Sequence, residues 1–348
     1  MKRTFLIILF ALVALYAKIT YDLWTAGAPA ESSPHGYLSE IASRVTAIPL
    51  QTGEQRIENP RSIRREGTNL FLISNDILYR FNLDGEFLCR ITDPALIRVA
   101  TYLIDPLRSR LIILGNADDI HYYTFGGELL EQQKADARNG LRSMKAVTFY
   151  QDQIWAAEER TVSDPLTRKA FVEQQLVRYD ASFREIGSHR LLAAGLPEQP
   201  VVPFSGEMHL AVMEDTGALY ACTPSLHPER LLQDSLRLKY GPASVAHFPD
   251  AVHPETFPLR FGRRFWFSSA AGPDGDSEAY LYCFDRTTDR SWLLKGGFDD
   301  DFYHTGPITG WQAMDVYSRA YCFCQSGDPV KPLSPSGSPV VFIVELNV

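Results

Sequence analysis

The chain is short of cysteine, of basic charge and of long apolar runs, and each shortage excludes something. Five Cys occur in 348 residues, at positions 89, 222, 283, 322 and 324. An odd, scattered set is no disulfide framework and reads as buried free thiols. Cys322 and Cys324 sit two apart in a strand-like stretch, so both face one side, with no further ligand nearby to complete a metal motif. Asp and Glu outnumber Lys and Arg by 42 to 34, giving a net charge of -8 and no basic cluster. That argues against nucleic acid as a partner, because phosphate binding needs a basic field. The chain has no G-x-S-x-G, no P-loop, no G-x-G-x-x-G and no H-E-x-x-H. The eight His are scattered, and two of them precede Pro as turn elements (His227–Pro228, His253–Pro254). Sustained helical periodicity is missing outside the N-terminus.

At the N-terminus, Lys2 and Arg3 precede thirteen uncharged residues, Phe5–Ala17. A charged start followed by an apolar run matches an export signal. The run is shorter than the roughly 20 apolar residues of a full membrane span. Lys18 ends it, but Ile19, Tyr21, Leu23 and Trp24 extend its apolar character. We therefore expect residues 1–30 to be a signal peptide or an N-terminal anchor formed by residues 5–24. The chain would be exported to the periplasm or cell envelope, touching the membrane only through this segment. Residues 31–40, with Pro34 and Gly36, read as a linker.

What the chain has is strand after short strand. The clearest stretch is Leu70–Ile91: Leu70–Ser74, Ile77–Asn82 and Glu86–Ile91, joined by polar turns at Asn75–Asp76 and Asp84–Gly85. Apolar and polar residues alternate in parts of it, as in half-buried strands. Gly85-Glu86 returns at Gly127-Glu128, and Leu70-Phe71 at Ile154-Trp155, which sets a repeat near 42 residues. A period of that size with four strands per unit predicts an all-β fold, a β-propeller over residues 41–348. Six units fit, at about 57–92, 96–134, 142–190, 200–240, 255–296 and 307–348. In the fourth, Val201–Ser205 reads as the innermost strand. The last unit lacks one strand, and Ile41–Leu50 is left over, so the N-terminal strand is expected to close the last blade.

Strand order then separates the connections. Second-to-third loops and blade-to-blade links share one face, and the other turns share the opposite face. The long segments gather on the first: Glu158–Val172, Leu191–Gln199, Gly241–Pro254, Ala271–Glu278, Gly296–Gly306 and Gly327–Ser338. Insertions collected on one face of a repeat protein mark its working surface. Phe302, Tyr303 and Trp311 lie in or beside it and would serve to bind a sugar ring or a protein partner. Arg61, Arg98, Lys145 and Arg260 fall on innermost strands, with Arg61 and Lys145 in shared register, and together would line a cationic channel for an acidic ligand. Asp299, Asp301 and His304 in GFDDDFYHTGP are candidate ligands for Ca2+, as is the alternating Asp274, Asp276 and Glu278. No other cofactor is expected.

Ile57-x-x-Pro60, Leu70–Ile73, Leu78–Asn82 and Asp84-Gly85 resemble the six-bladed β-propellers abundant among exported Bacteroidetes proteins, which are similar to NHL-repeat propellers. Val45–Gln51 resembles that family's closing strand. Its members are often lipoproteins, whereas here no Cys follows the apolar segment. The resemblance implies a fold and carries no catalytic residue. The expected function is non-enzymatic binding of a protein, peptide or glycan on the long-loop face. The alternative is a metal-dependent lactonase, lyase or hydrolase with its site at the channel mouth.

Overall fold

The structure, a computed structural model, describes residues 36–135, 144–163, 170–193, 209–213, 218–222, 228–230, 260–261, 264–271, 279–285, 287–288, 290–308, 311–314, 320–334 and 336–347. The described residues hold no α-helix. Their strands form antiparallel sheets, each running outward in chain order. The first sheet is Arg61–Glu66, Asn69–Ser74, Ile77–Asn82 and Phe87–Arg90. The second is Val99–Asp105, Arg110–Gly115, Asp119–Thr124 and Leu129–Lys134, and the third is Met144–Tyr150, Gln153–Ser163, Ala170–Tyr179 and Glu185–Ala193. Three strands make the fourth, His209–Met213, Ala218–Cys222 and Pro228–Arg230. The fifth is Arg260–Phe261, Phe265–Ala271, Ala279–Asp285 and Arg290–Lys295. The closing sheet runs Gln312–Ala313, Ala320–Gln325, Val340–Leu346 and then Ala42–Pro49, so the N-terminal strand supplies its outermost member as expected.

Innermost strands of neighbouring sheets lie side by side, which bends the row of sheets into a ring. The fold is a β-propeller. Apolar clusters fill the spaces between consecutive sheets. Leu70, Leu72 and Phe81 of the first sheet meet Val341 and Ile343 of the closing sheet. From the opposite side of the same strands, Phe71, Ile73 and Leu78 meet Tyr102, Leu111 and Ile113 of the second. Leu103, Ile112 and Tyr122 then meet Ile154, Ala156 and Val177 of the third. A strand sandwiched this way is buried on both faces, so Leu70–Ile73 reads as a continuous apolar run and all four side chains are inaccessible. The half-buried alternation anticipated from the sequence fails at these second strands for that reason.

The repeat also shows in the turns. A polar residue ending the third strand caps the turn that follows. Asn82 Oδ1 accepts the N–H groups of Asp84 and Glu86 at 3.0 and 2.8 Å. Thr124 Oγ1 accepts from Glu128 at 3.1 Å, and Asp180 Oδ1 accepts from Ser182 and Arg184 at 2.8 and 3.0 Å. Such side chains replace a missing backbone partner in the turn. The second-to-third turn at Asn75 and Asp76 has φ of 50° and 59°, both left-handed, as a two-residue hairpin with the sheet's own twist requires.

Two expectations are corrected. Glu158–Val172 is no long insertion: Gln153–Ser163 and Ala170–Tyr179 stay paired from Ile154↔Tyr179 to Ser163↔Ala170. Thr161, Val162, Phe171 and Val172 favour that extended hairpin. Leu191–Gln199 likewise begins inside the strand Glu185–Ala193. Among the described strands of the fourth sheet, His209–Met213 lies beside the inner strands of the third and fifth. Val201–Ser205 lies outside the described residues, as do Gly241–Pro254 and most of Ala271–Glu278.

Gly85 shows how sheets latch at the rim. Its φ is +82°, and a Cβ built on it would stand 2.0 Å from the carbonyl oxygen of Pro49, the end of the closing strand. Gly127 repeats the contact one sheet on, with φ +87° and a Cβ position 3.1 Å from the Arg90 carbonyl. Gly67, with φ +56°, faces open space. Gly67→Ala should therefore cost only the left-handed backbone penalty, about 1–2 kcal/mol. Gly85→Ala should cost about 1–3 kcal/mol more, because the closing strand must move. Urea midpoints of the two variants provide the check.

Candidate functional site

The loop proposed from its three consecutive Asp is built as a clasp. Asp299–Asp300 pairs with Gly306–Pro307, and Gly297 (φ +93°) lets the chain pass the Ile308 carbonyl, 1.9 Å from where a Cβ would sit. Asp300, 3% exposed, turns inward. Its Oδ1 accepts the N–H groups of Phe302 and Tyr303, both at 3.1 Å, and its Oδ2 accepts the Thr305 N–H at 3.3 Å and hydroxyl at 2.6 Å. The outside of the loop holds the N-terminal segment. Asp299 N–H donates to the Gly36 carbonyl at 3.0 Å. Asp301 accepts the Ser39 N–H at 3.0 Å and the Ser39 hydroxyl. Tyr303 donates its hydroxyl to the Val45 carbonyl at 3.2 Å and accepts the Ala47 N–H at 3.4 Å. Arg290 adds an ion pair to Glu40 at 2.8 Å.

The structure does not gather Asp299, Asp301 and His304 into one ligand set. Both Asp301 oxygens are taken by Ser39, and His304 is exposed at a left-handed φ of 58°. Among the described residues no three His, Cys, Asp or Glu side chains gather to hold a metal. Asp274, Asp276 and Glu278 lie outside the described residues. The aromatic expectation divides. Tyr303 packs on Phe342 with ring centroids 5.4 Å apart, and Trp311 stacks on Tyr321 at 5.2 Å. Both rings belong to the rim core, and only Phe302, 37% exposed, faces solvent.

Of the four cations expected at the channel, the side chains of Arg61 and Arg98 lie within the described residues. Arg61 reaches Asp76 Oδ1 at 3.1 Å and donates to the carbonyls of Val99 and Ala100 at 3.0 and 2.9 Å, which ties the first sheet to the second. Arg98 is exposed beside the start of the second sheet. Lys145 is the bulged residue of its strand, between Met144 and Ala146, and Arg260 pairs with Phe267. The Lys145 and Arg260 side chains lie outside the described set. Missed altogether was Arg64, whose guanidinium lies 5.0 Å over the Tyr102 ring. Its signal was faint, one of three arginines in Arg61–Arg65.

Other charged groups are committed to the scaffold. Asp105, fully buried, accepts from Arg108 and Arg110 at 3.2 and 3.0 Å, and Arg108 continues to Asp152 of the third sheet. Hydrogen bonding to Arg108 holds the Asp152 carboxyl below its ordinary range. Glu158, fully buried, accepts the Tyr179 hydroxyl and Arg160 Nε at 2.9 Å. Burial pushes the Glu158 carboxyl up. The thiols are inert by the same logic: burial raises Cys283 and Cys322, and pushes Cys324 up to about 12. Cys322 and Cys324 do face one side, both against the core shared with the first sheet.

The outer strands carry a further feature that the sequence reading passed over. Pairing slips by one residue at Leu88, Leu130 and Ile186, the same position in the first three sheets. A bulge there re-aims the side chain, and these three aliphatics are 43%, 52% and 48% exposed.

No protein-family model and no curated protein sequence matches the chain. Three solved structures are similar in shape. The Cps50 (Swd1) β-propeller domain of Myceliophteria thermophila shares 11% identity at a TM-score of 0.46, over 88% of this chain and 99% of that one. The Neurospora crassa Pan2 WD40 domain shares 9% at 0.46, over 90% and 99%. PorZ, a surface component of the type-IX secretion system of Porphyromonas gingivalis, shares 12% at 0.39, over 80% of this chain but 36% of its own. All three TM-scores are below 0.5, and the propeller assignment rests on the sheets themselves.

Removing the Tyr303 hydroxyl should loosen the closing strand with little effect elsewhere. Tyr303→Phe is expected to cost about 1 kcal/mol and to speed hydrogen exchange at Ala47 more than at Leu72. A pH effect follows from His121, 4% exposed, with its ring 6.1 Å from that of Tyr123 and tilted to it. Burial lowers its pKa, Asp119 opposes that, and Lys134 adds to it. The unfolded chain therefore takes up the proton first. The stability from neutral His121 is complete above about pH 6.5 and is lost as pH falls through the lower folded value. His121→Phe should flatten this part of the stability profile in urea titrations between pH 7 and 5.

Proposed function

We propose that the chain is an exported, non-enzymatic propeller of six blades that binds a protein, peptide or glycan through its long-loop face. The observation carrying this reading is the sorting of connections by strand order. Turns 67–68, 83–86, 106–109, 125–128 and 151–152 are short and share one face, whereas links 50–60, 91–98, 296–311 and 326–339 share the other with the short second-to-third turns 75–76 and 116–118. A rigid ring with variable loops on one side is suited to recognition. The exposed ring of Phe302 supports the same face, since aromatic side chains anchor interfaces at low entropic cost. Export rests on Lys2, Arg3 and Phe5–Ala17. The free state of Cys89, Cys283, Cys322 and Cys324 fits thiols sequestered in the fold. Membership among the exported six-bladed propellers rests on the resemblance of Ile57–Gly85.

A photo-crosslinking residue placed at Phe302 should form a discrete adduct in the native cell. The same residue at Leu130, on the outer rim, should form none. Adducts from Leu130 alone would move the working surface to the rim. Phe302→Ala should weaken binding of the captured partner by about tenfold or more without shifting the urea midpoint by more than about 1 kcal/mol.

A further inference from the structure

We propose that link 91–98, which joins the first sheet to the second, is an acid-released latch held shut by neutral His121. His121 and Tyr123 stand two apart on the third strand of the second sheet, so both side chains face the first sheet. Both residues are almost fully buried, yet His121 Nδ1 and the Tyr123 hydroxyl have no hydrogen-bond partner among the described residues. Both walls of the interface fall within the unbroken described stretch 36–135. The link packs against the residues on either side of His121. Ile91 and Ile97 share an apolar cluster with Tyr123. A Cβ built on Gly115 would stand 2.8 Å from the Ile97 side chain and 3.4 Å from Asp119 Cβ. The backbone ties of the link to its surroundings lie at its ends. The Ile91 N–H donates to the Leu78 carbonyl at 2.9 Å, and the Asn116 N–H donates to the Arg98 carbonyl at 3.1 Å. Between them, the Leu96 and Ile97 N–H groups donate to Asp93 of the link itself.

A neutral imidazole carries one donor and one acceptor, whereas a protonated one carries two donors and a charge. In the closed interface, protonation makes Nδ1 the unpaired donor of a charged ring in an apolar wall, which costs more than an unpaired nitrogen of a neutral one. The neighbouring titratable groups do not relieve that cost. On its own sheet, Asp119 is paired with Lys134 at 2.6 Å, and the Tyr123 ring centroid is 6.1 Å away. Gln132 and Ile113, its cross-strand neighbours, carry no charge. From the first sheet, Cys89 borders the cluster, and Asp93 of the link is exposed and accepts the Ala95 N–H. Burial lowers the His121 pKa, ahead of Asp119, which raises it, and Lys134, which lowers it. Opening the link returns the ring to water, where it takes its proton near pH 6.5. The open form therefore gains on the closed one as pH falls from about 6.5 through the lower closed-state value, and the closed form is fully favoured above that range. The link belongs to the long-loop face, so its release would reshape that face in acid. The latch itself does not depend on what binds there.

Hydrogen exchange followed peptide by peptide on the full chain, from about pH 7.5 to 4.5 and corrected for the intrinsic rate, tests it. Peptides covering 91–99 should lose protection as pH falls, by up to about tenfold for each unit between the open and closed pKa values of His121. Peptides covering 69–74 and 340–346 should keep theirs. His121→Gln and His121→Phe should each abolish the acid response at 91–99. Loss of protection spread evenly over the ring, no loss at 91–99, or a response that survives in both variants would overturn the proposal.

Discussion

The pairing of Ala42–Pro49 with Val340–Leu346 is the contact on which the ring depends. It joins the two ends of the described fold in seven register pairs from Ala42↔Leu346 to Pro49↔Val340. Without it the closing sheet would present Val340–Leu346, whose first five residues are almost fully buried, as an open apolar edge. Apart from the packing of the first sheet on the closing sheet, the other sheet interfaces are local, each sheet meeting the next in chain order. The contacts that join the two ends must wait for the whole chain and carry the largest loop-closure entropy. The surrounding chemistry is accordingly dense. Ser39, Glu40, Val45 and Ala47 are each held by a side chain from the fifth or closing region.

That dependence explains why the acidic loop reads ambiguously in sequence. Asp299, Asp300 and Asp301 look like hard-cation ligands because three carboxylates in a row are costly without a cation. Two of them have been satisfied differently. Asp300 is neutralised by three N–H groups and a hydroxyl of its own turn, and Asp301 by the backbone and side chain of Ser39, 262 residues away in sequence. The turn is legible in the D-x-x-x-x-T spacing of Asp300 and Thr305. The second partner has no local signal at all. The same holds for Tyr303 and Trp311: a loop aromatic that reaches back to the rim is indistinguishable in sequence from one that reaches out.

The architecture was legible because it is written locally. Strand limits at Leu70–Ser74 and Ile77–Asn82, the turn at Asn75–Asp76 and the leftover N-terminal strand all came through from pattern and turn chemistry. Illegible were the features fixed by contact between sheets. Gly85 was read as a hairpin glycine, yet its second constraint, the Pro49 carbonyl, is imposed by another sheet. The hairpin through Ser163 and Ala170 was mistaken for an insertion because length alone cannot separate a long loop from two long strands. The bulges at Leu88, Leu130 and Ile186 are register events, invisible until the partner strand is known.

A ring built of interchangeable sheets gives a rule for separating scaffold from function. A residue that recurs at equivalent positions answers a demand of the fold, as the turn caps Asn82, Thr124 and Asp180 do. A residue that departs from its equivalents at a cost to stability answers some other demand. By that test the acidic clasp is scaffold, because each of its buried polar groups has a partner within the fold.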